Sequence, residues 1–136
     1  MKANYLNPAA LPKPTGYSHV AIVPAGRQIH ISGQVALNAA GEVVGKGDVG
    51  AQAEQVYANL AVALSAAGAS LGDVFKVVTY VVNLTPEKAA AVRTVRLKHL
   101  GEWAVSITPP ASTMVGVTSL VNPDLLIEIE VVAISA

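Results

Sequence analysis

The chain has 136 residues, of which 52% are hydrophobic and 13% charged, with nine basic residues balanced by nine acidic ones. That length points to one domain, residues 1–136, able to bury a core, and the absence of a basic excess argues against nucleic acid as the primary partner. No cysteine is present, which excludes disulfide scaffolds, thiolate zinc sites and a cysteine nucleophile.

A typical soluble domain carries roughly 25% charged residues. This chain has far fewer, so self-association is expected to cover part of its apolar surface. The stretch Met1–Pro8 lacks the apolar core of a signal peptide, and no run reaches the length of a membrane span. A cytoplasmic protein with no membrane partner is the expectation.

Residues 1–16 carry Pro8, Pro12 and Pro14 and read as an irregular lead-in. Tyr17–Val23 and Gln28–Ser32 read as two strands joined by a turn at Pro24–Arg27, hence as a hairpin. Gly33 interrupts the second strand, as a glycine does at a bulge or where another group nears the backbone. Asp48 is placed to cap a helix. Ala53, Val56, Tyr57, Leu60, Ala61, Leu64 and Ala67 recur at helical spacing before Gly68. Val74–Val82 is a long β-branched strand.

Thr85-Pro86-Glu87 is a helix start: a capping hydroxyl, proline at the first position, then an acid. Ala89, Val92, Val95 and Leu100 form its buried stripe, and Arg93, Arg96 and His99 share another broad face. The helix is expected to end near Gly101, with Glu102–Pro110 as connector. Ala111–Val117 and Ile127–Ala133 read as two strands joined by a turn at Asn122-Pro123-Asp124. Ile127, Ile129 and Val131 alternate with Glu128, Glu130 and Val132, so two glutamates share one sheet face. The order β-β-(β)-α-β-α-β-β is an α+β pattern, with both helices on one face of a single sheet.

Chemistry has few places to reside. His19, His30 and His99 lie on three elements without the i, i+4 spacing of a metal pair, so no metal is expected. Ser32-Gly33-Gln34 lacks the Gly-x-Ser-x-Gly elbow of a hydrolase nucleophile. Gly41, Gly45, Gly47 and Gly50 miss the phosphate-loop spacings. Glu128 and Glu130 remain. They are either a solvated strand face or carboxylates able to act as acid, base or water-positioner.

Taken together, these stretches resemble the Rid family (reactive intermediate deaminase, also called YjgF, formerly L-PSP endoribonuclease). The resemblance runs over nearly the whole chain: Gly16-Tyr17-Ser18-His19, Ile31-Ser32-Gly33-Gln34-Val35, Ala51-Gln52-Ala53 with Asn59-Leu60, Asp73-Val74-Phe75-Lys76, Pro110-Ala111-x-Thr113 with Val115-x-Val117, and Ile127-Glu128-Ile129-Glu130. It implies a chorismate-mutase-like α+β fold and a homotrimer around a central β-barrel, with clefts built from two chains. It also implies hydrolysis of enamines and imines, such as 2-iminopropanoate, to a carbonyl compound and ammonia without a cofactor. In the family an arginine on the penultimate strand grips the substrate carboxylate, a task suited to a bidentate guanidinium. A strand glutamate positions water, and a tyrosine and a Ser-Gly backbone shape the pocket. On this chain those are Glu128, Tyr17, Ser32 and Gly33. The former ribonuclease name finds no basic patch and little aromatic surface here.

The arginine does not carry over. The family's Pro-Ala-Arg-Ser/Thr is Pro110-Ala111-Ser112-Thr113, and Met114 stands where many members have cysteine. Three readings follow. Arg93 or Arg96 supplies the missing cation, with Ser112 and Thr113 at the anchor's place. Alternatively, the substrate is a differently shaped small molecule suited to Ser112 and Met114. In the third reading, the trimer binds a ligand or partner without catalysis.

Overall fold

The structure is a computed structural model and describes residues 2–99 and 109–136. The elements in chain order are β1 (Asn4–Leu6), β2 (Val20–Ile22), β3 (Arg27–Val35), α1 (Val49–Ala66), β4 (Val74–Val82), α2 (Pro86–His99), β5 (Ala111–Val117) and β6 (Ile127–Ser135). This is the α+β arrangement read from the sequence.

Four strands form the main sheet in the order β3-β6-β4-β5. β6 runs antiparallel to both β3 and β4, while β4 and β5 are parallel. A parallel pair needs a long crossover, and α2 provides it. β1 and β2 form a separate antiparallel pair.

Two expected pairings are corrected. β2 and β3 do not make a hairpin, because β2 pairs with β1 and β3 pairs with β6. β5 and β6 are joined by a turn at Pro123-Asp124, but β4 lies between them in the sheet. The lead-in also holds a strand, β1, in the proline-poor stretch before Pro8.

Alternation along β6 buries Ile127, Ile129, Val131 and Ala133 against the helices. α1 lies across β3 and β6, and α2 packs beside α1. Val56, Leu60 and Leu64 of α1 and Val92 and Val95 of α2 complete the core. Ala61 is exposed, against expectation, and Gln52 is buried. Gln52 accepts from the Leu126 N–H at 2.8 Å and donates to the Asp124 carbonyl at 2.9 Å, which fastens the turn before β6 to α1.

Both helix starts form as expected. Asp48 Oδ1 accepts from the Ala51 N–H, and Thr85 Oγ1 accepts from the Lys88 N–H. Gly68 has φ +76° just past α1, a conformation that suits glycine at a helix end. The expected end of α2 near Gly101, Leu100 of its stripe and most of the following connector lie outside the described residues. No helix among the described residues is long and apolar enough to cross a membrane.

The other sheet face is half-buried and mixed. Val78, Val82 and Val132 share it with Tyr80, Glu128 and Glu130.

Candidate functional site

A cavity of about 640 Å³ lies between the lead segment, α2 and β5. Its walls are Thr15, Gly16 and Tyr17, then Arg93, Arg96 and Leu97, then Ser112 and Met114. Each wall has a local cause. Ser112 and Met114 pair with buried Val77 and Thr79 of β4, so both point to the helix-covered side of the sheet. Thr113, between them, is exposed on the opposite face and does not line the cavity.

The lead segment is held by Ser18. Its hydroxyl donates to the Pro109 carbonyl, and its N–H donates to the Pro110 carbonyl at 3.0 Å. Tyr17 rests edge-on against the His19 ring at 5.2 Å. His19 is fixed in turn by Asn7 Oδ1, which accepts its N–H, and by a contact from Nε2 to the Pro12 carbonyl.

Arg96 joins the three walls. Its guanidinium donates to the Gly16 carbonyl and, at 3.4 Å, to Ser112 Oγ. A positive charge therefore sits beside the position that lacks the motif arginine. Arg93, one helical turn earlier, lines the same cavity and is exposed. His99 leaves this face. Each three-residue step along a helix rotates about 60° backwards, and His99 instead stacks on Tyr57 at 5.5 Å and meets Glu54 at 2.5 Å. Lys98 also reaches Glu54, at 2.9 Å. These two partners, Lys98 first, hold the Glu54 carboxyl below the usual carboxylate range. Burial pushes the Tyr57 phenol up to about 12, and its hydroxyl has no hydrogen-bond partner among the described residues.

Glu128 lies elsewhere. It pairs with Val35 of β3 and Tyr80 of β4 on the open sheet face, beside the bulge. The bulge comes between Ile31 and Gln34, where β3 carries one residue more than β6. Glycine makes room for the carboxylate there: a Cβ at residue 33 would fall 2.7 Å from Cδ of Glu128 and displace it. Asn59 of α1 fixes the far side of the bulge by donating to the Val35 and Leu37 carbonyls at 3.0 and 2.9 Å. Ser32 is exposed at this bend. On the same face, the Tyr80 hydroxyl donates to Glu130 at 2.6 Å, and this bond is the first cause of a raised phenol pKa.

Apart from Thr113, the expected site residues thus fall into two groups. Tyr17, Arg93, Arg96, Ser112 and Met114 meet in the cavity. Glu128, Gly33 and Ser32 meet at the bulge, on the other side of the sheet. A single chain does not bring the two groups together. The sequence reading did not place Thr15, Gly16 or Leu97 in the site. Leu97 follows Arg93 at i+4, and that spacing was the available signal.

Comparison with known proteins bears on what such an arrangement is. Residues 8–135 match the family model described as Endoribonuclease L-PSP. A RutC-family protein of Pyrococcus horikoshii is 39% identical over 124 residues, covering 90% of each chain. Among solved structures, the Rid-family protein YyfB of Yersinia pestis superposes with a TM-score of 0.87 at 40% identity, covering 99% of this chain and 100% of that one. Escherichia coli TdcF, crystallised with bound serine, gives a TM-score of 0.70 at 29% identity, covering 84% and 85%.

Proposed function

The chain belongs to the L-PSP endoribonuclease family, the Rid/YjgF family, and from that membership we propose that it hydrolyses an imine or enamine of a small carboxylic acid. The observation that carries the reading is the Arg96 guanidinium beside Ser112. An arginine from α2 stands in for one expected on β5. The cavity keeps a cation able to grip a carboxylate with two parallel N–H bonds.

The reaction adds water to the C=N carbon. The new C–O bond forms, the C–N bond breaks, and ammonia leaves as the carbonyl forms. Glu128 takes a proton from the attacking water and returns one to the departing nitrogen. Gly33 leaves room for the Glu128 carboxylate over the bulge, and Tyr17 donates a hydrogen bond within the cavity. Residue chemistry alone suffices for these steps, so no cofactor is required.

The separation of Glu128 from the cavity in one chain gives the proposal its quaternary form. The complete site lies between two copies of a homotrimer, with the Arg96 cavity of one facing the Glu128 bulge of the next. Serine at position 112, in place of the motif arginine, favours a second reading, a trimer that binds its ligand without turnover.

Subunit mixing tests both. Imines are generated in situ from alanine and from aspartate, and their loss is followed with wild type, Arg96→Ala and Glu128→Ala. At substrate well below KM, Glu128→Ala is expected to be inactive alone and Arg96→Ala to lose at least about tenfold. Co-refolding equal amounts is expected to restore about a quarter of the sites, those with both groups intact across one interface. An inert wild type selects the non-catalytic trimer. Activity of Glu128→Ala equal to wild type overturns the assigned role of the carboxylate.

A further inference from the structure

We infer that the ligand of the Arg96 cavity carries two carboxylates, so that the substrate is a dicarboxylic 2-imino acid. This rests on the deaminase reading for the reaction, though not for the binding.

Among the described residues, the cavity walls hold two guanidiniums and no carboxylate. Every other cation on α2 has a partner. Lys88 donates to the Val82 and Asn83 carbonyls at 3.0 and 3.1 Å, and Lys98 and His99 both meet Glu54. Arg96 is tied to Gly16 and Ser112. Arg93 has no hydrogen bond or ion pair among the described residues. Like charges one turn apart on a helix repel. Here they do so over a shared concavity, where walls of low dielectric strengthen the field. With Glu128 of the next copy committed to the attacking water, one ligand carboxylate on Arg96 leaves Arg93 uncompensated, and a second on the same molecule removes the repulsion.

Leu97 and Met114 supply apolar wall for the carbons between two such ends. The cavity volume falls within the range of small-molecule sites and exceeds the needs of a three-carbon acid.

Titration calorimetry on the whole protein separates the possibilities. The probes are succinate, propionate and inorganic phosphate. Succinate is expected to bind about tenfold tighter than propionate, the worth of one added charge-assisted contact. Arg93→Gln should bring the two Kd values together, whereas Lys98→Gln should leave both as in wild type. Equal affinities in wild type, or a preference that survives Arg93→Gln, overturn the inference. So does phosphate binding tighter than succinate, which would mean that one compact dianion takes both arginines. Hydrolysis of the alanine- and aspartate-derived imines is measured on the same preparation. A succinate preference without hydrolysis of either imine overturns the deaminase reading alone. Hydrolysis without the preference overturns this inference alone.

Discussion

Replacing Arg96 by glutamine tests the central substitution directly. The change keeps a polar side chain but removes the charge and the terminal fork that reaches Gly16 and Ser112. A hydrogen bond to a charged group contributes about 1.5–3 kcal/mol. At about 1.4 kcal/mol per decade, loss of the carboxylate contact lowers kcat/KM by about 10- to 150-fold. The loss should appear mainly in KM, because the anchor holds substrate and transition state alike. The fold should survive, since Arg96 is only half-buried and its two acceptors are neutral. One kcal/mol corresponds to about 3–6 °C in Tm for a chain of this size, so a fall within that range is expected. The assay is the coupled hydrolysis of the alanine-derived imine, with melting followed by circular dichroism. An unchanged kcat/KM would refute the reasoning, because the cation beside Ser112 would then do nothing for the substrate. Arg96→Lys should fall between the two, since a lysine restores charge without the planar fork.

Other outcomes follow from the same contacts. Gly33→Ala should abolish hydrolysis while the protein still melts cooperatively, because the new Cβ displaces the Glu128 carboxylate and not the core; retained activity would mean that Glu128 need not sit over the bulge. Tyr57→Phe should leave Tm unchanged or raise it, since the lost hydroxyl is buried without a partner among the described residues; a clear drop would reveal a partner for it. Glu54→Gln should lower Tm slightly at neutral pH, as the pair is exposed and contributes under about 1 kcal/mol. The folded carboxyl is held below its unfolded value. Its contribution is therefore present above about pH 4.3 and lost as pH falls through the folded pKa. The Tm gap between wild type and variant should close in acid, and a gap constant across that window would count against the linkage.

What the sequence made legible was local. The caps at Asp48 and Thr85, the β-branched run of β4 and the two-residue alternation of β6 each depend on neighbours along the chain. Pairing order does not. Alternation assigns a strand's faces but not its neighbours, and so β2 was joined to β3 and β5 to β6. With β4 known to lie between β5 and β6, the register itself puts Ser112 and Glu128 on opposite faces. The spacing of Arg93, Arg96 and His99 suggested one cationic face. The helical rotation splits it, and Glu54 on α1 claims the histidine. That partner is 45 positions away along the chain, beyond the reach of any pattern in the sequence.

The clamp between Ser18 and Pro109 spans 91 positions. One wall of the cavity comes from the first residues of the chain and another from its last quarter. Loop closure over such a distance is slow relative to helix formation. The cavity is therefore among the last features to appear as the chain leaves the ribosome. A chain that stops short of β5 lacks the cavity's third wall and, with β6 also missing, an inner strand of the sheet. Ligand binding thus reports complete folding, and the capacity to bind should vanish together with the sheet on heating, not ahead of it.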